Sequence, residues 1–251
     1  MTTAACDSFA PPKSPFVGNL SLPLPDGNCR LVVSNPALDP TLWTEYLDGA
    51  VRSYTEHGVE RTLNIDAVRD GVDTRLFYAA VDSQGAVVGG ARVVGPLWSA
   101  DDSHAVIEWE GSPGAVAVRK MIDDRVPFGV VEVKTAWADS ASRHRGAIAA
   151  ALARTALPSM ALLGVQFVMA TAAAHVLDRW RASGGVVAAT IPAVAYPDER
   201  YRTKMMWWDR STLANHADPK QLSRMYKETG ELMRDAEALS ANTMASAGAG
   251  R

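Results

Sequence analysis

The chain is poor in cysteine, in one-sided charge and in long apolar runs, and each shortage closes off a class of protein. Two cysteines occur in 251 residues. Cys6 and Cys29 flank an irregular N-terminal stretch without the spacing of a metal knot or a disulfide framework, so they are expected as free thiols in a reducing compartment. The formal net charge is −3, and nothing global recommends nucleic acid or an anionic membrane as partner. No stretch reaches the ~18 consecutive apolar residues of a membrane span, and residues 1–10 lack the basic-then-apolar pattern of an export signal. No membrane span and a cytoplasmic location are therefore expected. His57, His104, His144, His175 and His216 are scattered without a His-x-x-x-His pair, so no metal site is expected. Gly-x-x-x-x-Gly-Lys-Ser/Thr is missing, and no Gly-x-Gly-x-x-Gly follows a strand, which weakens a nucleotide-binding α/β reading.

What is present is material for a core: 47% of the residues are hydrophobic and 21% charged, the profile of an ordinary folded protein. The prolines at 11, 12, 15, 23 and 25 disfavour helix and central strand, so residues 1–28 read as an extended leader. Residues 29–210 read as one domain, and 211–251 as an amphipathic helix with a small-residue tail. Within the domain, 28–34 reads as a strand. Asp39 and Pro40 then start a helix that runs to His57, with Leu42, Trp43, Tyr46, Leu47, Ala50, Val51 and Tyr54 on one face. Residues 75–81 and 86–94 form a hairpin about the Asp82–Gly85 turn. A short strand at 106–109 and a helix at 114–124 follow. Strand 129–138, helix 146–157, strand 166–171, helix 174–183, and strands 186–191 and 201–208 complete an α/β (α+β) pattern: a mixed central sheet flanked by helices.

The informative segment is the strand Val130–Ala138 followed by Asp139, Ser140, Ala141, Ser142, Arg143, His144, Arg145, Gly146, Ala147 and Ile148. A strand enters a short basic loop that opens an alanine-rich helix. Helix-start amides, a glycine that admits close approach, and two arginines together suit an anion. The segment resembles motif A of the GNAT acyltransferases, whose Arg/Gln-x-x-Gly-x-Gly/Ala loop holds the pyrophosphate of coenzyme A. Arg143 and Gly146 match, whereas Ile148 stands where a glycine or alanine is usual. Downstream, the helix ending in Trp180 and Gly184 and the two last strands follow the same plan, so the resemblance covers about residues 29–210. It implies the GNAT fold, with Trp137, Ala138, Arg143, His144, Arg145, Gly146 and Ala147 against acyl-CoA, or against the phosphopantetheine of an acyl carrier protein. That molecule enters as a co-substrate, and no permanently bound cofactor is implied.

A narrower resemblance links Asp70, Asp73 and the stretch from Val87 to Arg92 to acyl-homoserine-lactone synthases and N-acyl amino acid synthases. It implies that Asp70 and Asp73 face the ammonium of an amino-acid-like acceptor and that Arg92 holds its carboxylate; the other reading is a solvated turn and a strand-end arginine. Arg52 falls near that branch's N-terminal arginine, without the aromatic residues expected after it.

Transfer to an amine needs a base, and Glu132, 143 − 132 = 11 residues before Arg143, is the candidate. Strand alternation puts Glu132, Lys134, Ala136 and Ala138 on one face. Two readings stay open for Glu132: catalytic base, or half of an ion pair with Lys134. Backbone N–H near Trp137 and Ala138 would receive the oxyanion. Trp180 stands where the family often has a tyrosine acid; an indole cannot supply that proton, so Trp180 reads as substrate-binding wall, with Tyr196 and Tyr201 as other hydroxyls. Trp98, Trp109, Trp137, Trp207 and Trp208 either line an acyl pocket or pack the core, the latter preferred for Trp207 and Trp208. The sequence thus reads as an N-acyltransferase acting on a small-molecule amine, with a non-catalytic CoA-binding or protein-interaction module as the alternative. The terminal extensions either cap the cleft or build a homodimer surface.

Overall fold

A computed structural model describes residues 16–25 and 27–248; Cys6 and the prolines at 11, 12 and 15 lie outside them. Among these residues, eight strands form one mixed sheet: β1 (Leu20–Pro23), β2 (Cys29–Ser34), β3 (Thr74–Asp82), β4 (Val87–Val94), β5 (Val130–Ala138), β6 (Phe167–Ala173), β7 (Val186–Val187) and β8 (Thr203–Asp209). Their spatial order is β1-β2-β3-β4-β5-β6-β8-β7. β5 and β6 run parallel and the other neighbouring pairs antiparallel. The helices are α1 (Pro40–Glu56), α2 (Ile65–Val68), α3 (Ala105–Glu108), α4 (Ala115–Asp123), α5 (Arg145–Ala153), α6 (Ala156–Leu163), α7 (Leu177–Arg181) and α8 (Pro219–Gly248).

Local chemistry explains the early elements. Asp39 caps α1, its Oδ1 accepting from Leu42 N–H at 3.0 Å, and Pro40 occupies a helix position whose N–H has no partner to lose. α1 buries Trp43, Tyr46, Leu47 and Ala50, and Gly58 leaves it with a φ of 64°. In the β3–β4 turn, Asp82 Oδ1 accepts from Gln84 and Ala86 N–H at 2.9 Å each. Gly90 lets α1 lie on β4: a Cβ there would meet Tyr78 O and stand 2.6 Å from Tyr46 Cδ2.

The sheet separates two packed faces. On one, α5, α6, α7 and α8 cover Val131, Val133, Val168 and Trp208. On the other, α1 packs on Phe77, Ala79 and Trp137, while α3 and α4 pack on Val130, Met169 and Trp207.

Several sequence expectations change. Phe16, Leu20, Leu22 and Leu24 of the expected leader are core residues, and β1 pairs with β2, because Pro23 sits at the sheet edge where its missing N–H breaks no ladder. α8 is not an appendage: Met225, Leu232 and Ala236 join the same core, each large side chain contributing about 1.5–3 kcal/mol on burial. Residues 106–109 belong to helix α3 and its cap, not to a strand. The expected helix 146–157 is two helices bent by 45°. The strand expected at 186–191 is reduced to Val186–Val187, and Trp109 donates its indole N–H to Pro192 O at 2.9 Å in the loop that follows.

Candidate functional site

The site arises where two strands part. β5 and β6 pair from Val130 with Phe167 to Val133 with Ala170, and beyond that both continue without pairing to each other. Against β4 the register slips, since Gly90 pairs with Trp137 and Arg92 with Lys134, leaving Thr135 and Ala136 opposite Ala91. This bulge reverses the alternation of β5. Glu132 and Lys134 face the α1/α3 side, whereas Ala136 and Ala138 face the α5 side with Val131 and Val133, so the expected single face is corrected. Thr135 holds the bulge at a φ of 51°, unusual for a β-branched residue, and Tyr46 OH donates to its carbonyl at 2.8 Å.

The gap opens into a cleft of about 400 Å3 that passes between the two faces. Arg145, Ala149, Leu152, Arg179 and Trp180 line it on the α5/α7 side, and Tyr54, His104, Glu108, Lys134 and Tyr196 on the α1/α3 side.

On the second side stands a compact polar cluster. Glu108 is buried, its Oε1 accepting from Thr171 Oγ1 at 2.9 Å, while its Oε2 has no hydrogen-bond partner among the described residues. Burial raises its pKa to about 7, with Lys134 opposing the rise and Glu132 adding to it. His104 Nε2 lies 2.8 Å from Tyr196 OH and 3.9 Å from Glu108 Oε1; burial, with Lys134 and Arg92, lowers its pKa to about 4. Tyr54 and Tyr196 are both pushed up to about 12, chiefly by burial.

Glu132 is fully buried and is not part of the cleft wall. Its Oε2 accepts from His104 N–H at 3.1 Å, and its Oε1 lies 3.7 Å from Lys134 Nζ. The ion-pair reading thus has its geometry, and the carboxylate that reaches the cleft is Glu108. His104 and Glu108 went unseen because 106–109 was expected as strand; a histidine four residues before a glutamate on a helix was the available signal.

The other expected positions divide. Trp137, Ala138, Arg145 and Trp180 line the cleft. Arg143, His144, Gly146 and Ala147 stand beside it in the turn that opens α5, where Arg143 Nε donates to His144 Nε2 at 2.9 Å. Nothing lies within 4 Å of where a Gly146 Cβ would stand. Ile148 is core, and a Cβ on Gly89 would come within 2.6 Å of its Cγ2. Arg92 is turned to Asp73, whose two carboxylate oxygens each lie 2.8 Å from its Nη1, and it also donates to Thr74 Oγ1 at 3.0 Å; neither Arg92 nor Asp73 lines the cleft. Asp70 is an exposed turn residue accepting from Val72 N–H at 3.2 Å, and Arg52 is exposed on α1. Of the tryptophans considered for a pocket, Trp137 lines the cleft, Trp109, Trp207 and Trp208 are core, and Trp98 is 81% exposed.

No family profile matches the chain. It is 68% identical over 249 residues to the "Uncharacterized protein Rv1356c" of Mycobacterium tuberculosis, covering 99% of this chain and 95% of that one, and equally so to the "Uncharacterized protein Mb1391c" of Mycobacterium bovis. Among solved structures it is similar to BjaI, a CoA-dependent acyl-homoserine lactone synthase: TM-score 0.52, 17% identity, 79% of this chain and 88% of that one. It is also similar to FeeM, an N-acyl amino acid synthase from uncultured soil microbes: TM-score 0.53, 10% identity, 81% and 97%. At such identities the likeness establishes architecture, and activity has to be argued from the site. The chain therefore has the GNAT acyltransferase fold and belongs to one family with the mycobacterial proteins Rv1356c and Mb1391c.

Proposed function

We propose that the chain is an N-acyltransferase that moves an acyl group from a pantetheine thioester to a small-molecule amine. The observation that carries the reading is the parting of β5 and β6 into a cleft with arginines on one face and a buried carboxylate, one oxygen unpartnered, on the other. The activities in the names of BjaI and FeeM support it as analogy.

The donor belongs on the α5/α7 side. Gly146 and Ala147 N–H precede the first bond of α5, from Ile148 N–H to His144 O at 3.0 Å, and helix-start amides of this kind suit a phosphate. The open space at Gly146 admits close approach, and Arg145 adds charge. The same chemistry accepts acyl-CoA or the phosphopantetheine arm of an acyl carrier protein. Trp180 is wall.

The acceptor belongs on the α1/α3 side. It arrives as an ammonium, and Glu108, with a pKa of about 7, takes one proton from it. The freed amine attacks the thioester carbonyl. Successive strand N–H groups point to opposite edges, so some of those between Lys134 and Ala138 face the gap left by β6 and suit the oxyanion. The C–S bond breaks, the sulfur leaves as thiolate, and the nitrogen loses its second proton to give the amide. One proton from the pair goes to the thiolate and the other to solvent. Glu132 acts through His104, whose N–H it accepts, and so is a positioning residue.

Calorimetry with coenzyme A, together with thiol release from acetyl-CoA and palmitoyl-CoA in the presence of amines, tests this reading. Binding that weakens in Arg145→Ala, with thiol release slowed by roughly 10²-fold or more in Glu108→Gln, is the expected result. Binding that persists without thiol release from either thioester would leave a non-catalytic module or a carrier-protein donor, which acyl carrier protein loaded with the same acyl group separates.

A further inference from the structure

We infer that the acceptor is a cationic amine without a carboxylate, a decarboxylated amine in place of an amino acid. The inference rests on the proposed N-acyltransferase reading and narrows its substrate. It runs against the expectation of an amino-acid-like acceptor held by Arg92.

Three observations converge. First, the guanidinium meant for a substrate carboxylate is occupied: Arg92 is 4% exposed, holds both oxygens of Asp73 from one nitrogen, and is absent from the cleft wall. Second, the charged groups at the acceptor end are Glu108, Glu132 and Lys134. Lys134 Nζ lies 3.7 Å from Glu132 Oε1 and also acts on Glu108, so one lysine is shared by two carboxylates and the cluster holds one carboxylate more than it holds cations. His104 adds no positive charge near neutral pH, and the hydroxyls of Tyr54 and Tyr196 stay protonated. Third, the Glu108 carboxylate is incompletely satisfied: Oε1 is held by Thr171, while Oε2 is buried with no partner among the described residues. A buried acceptor atom of this kind is costly unless a donor arrives.

An ammonium supplies both the donor and the charge. The carboxylate of an α-amino acid acceptor, two bonds from the reacting nitrogen, would sit beside Glu108 with no uncommitted cation in the polar cluster to meet it. The arginines that line the cleft, Arg145 and Arg179, stand on the opposite face of the sheet, where the donor's phosphates belong.

The test uses pairs that differ only by the carboxylate: cadaverine against lysine, and tyramine against tyrosine, titrated calorimetrically into the full chain saturated with coenzyme A. We expect the decarboxylated member of each pair to bind at least tenfold more tightly. The preference should collapse in Glu108→Gln and return in Glu108→Asp, which keeps the charge. Equal or tighter binding of the amino acids overturns the inference, as does a preference unchanged in Glu108→Gln, or no binding by any of the four. Thiol release, measured separately, decides the acyltransferase reading: turnover with lysine or tyrosine as the better acceptors would sink the inference and leave that reading standing.

Discussion

His104 Nε2 stands 3.9 Å from Glu108 Oε1 one helical turn away, and burial drives the two side chains in opposite directions, His104 down to about 4 and Glu108 up to about 7. The pair is therefore not an ion pair at neutral pH. A neutral imidazole stands between Tyr196 and a carboxyl group that titrates near neutrality. That is a usable proton acceptor for an ammonium, and it leaves a signature in stability.

The first prediction concerns that signature. The folded pKa of Glu108 lies above the ~4.3 of an unfolded glutamate, so its contribution is fully present below ~4.3 and is lost as pH rises through about 7, by about 4 kcal/mol in all. His104 is the reverse: its folded pKa lies below the ~6.5 of an unfolded histidine, so stability falls as pH drops from 6.5 to 4. Between ~4.3 and 6.5 the two slopes oppose. In Glu108→Gln the histidine slope remains alone, so the melting temperature should rise from pH 4 to 6.5 and exceed the wild type's at pH 8. Lys134, Glu132 and Thr171 still face position 108 in the variant, and Lys134, Arg92 and Tyr196 still face His104. Superimposable profiles for the two proteins would show that Glu108 does not titrate as described.

Catalysis should follow the same group. Turnover is expected to rise through pH 7 as Glu108 ionises and to lose that limb in Glu108→Gln, read as kcat/KM between pH 5.5 and 8.5. A rise of the same midpoint surviving in the variant would assign the base elsewhere.

Gly49 tests the packing behind the cleft wall. Although it sits inside α1, where alanine is ordinarily better by about 1 kcal/mol, a Cβ there would overlap the indole tip of Trp137. Gly49→Ala should therefore destabilise, by about 1–3 kcal/mol, and push Trp137 into the cleft, raising KM for the acceptor on the α1 side. Denaturant unfolding checks the first effect and steady-state kinetics the second; a stabilised variant would contradict this account of why a glycine stands there.

Asp73 and Arg92 are expected to matter for folding and not for the acceptor. Asp73→Ala leaves a buried guanidinium with only hydroxyl partners, and since Asp73 itself is 45% exposed the cost should fall at or below the low end of the ~3–5 kcal/mol for breaking a buried pair. Acceptor KM in the surviving folded fraction should be unchanged. A large rise in that KM with normal stability would return Arg92 to the substrate.

Arg154 supplies a check on the C-terminal helix. Its Nε and Nη2 engage Glu228 of α8 at 2.8 and 2.7 Å from a position only 2% exposed. Glu228→Ala should cost about 3 kcal/mol and expose the α6–α8 contact, seen as faster hydrogen exchange in both helices.

Much of this architecture was written locally. Asp39 with Pro40, Asp82 with Gly85, and the apolar stripe from Trp43 to Ala50 each specify their element through contacts a few residues apart, and the structure has them where the pattern put them. The basic turn at Arg143–Gly146 was likewise legible, because strand, loop and helix start are contiguous in the chain.

What the sequence could not decide was how distant segments meet. Local propensity gave no sign that Thr135 would bulge against Ala91 and invert the faces of β5, since a register slip depends on the partner strand. The same holds for Glu132 and Glu108. Both are glutamates in apolar surroundings, and only the packing of α3 over β5 and β6 turned one inward against Lys134 and the other into the cleft. Asp73, taken with Asp70, and Arg92, 19 residues further on, were each singled out for a substrate group, yet whether they face a ligand or each other is a matter of where β3 begins beside β4. The sequence by itself determined most of the elements, because caps, turns and periodicity act over a few residues; tertiary structure alone decided which carboxylate reaches the cleft, because desolvation and partner choice are properties of the packed interior.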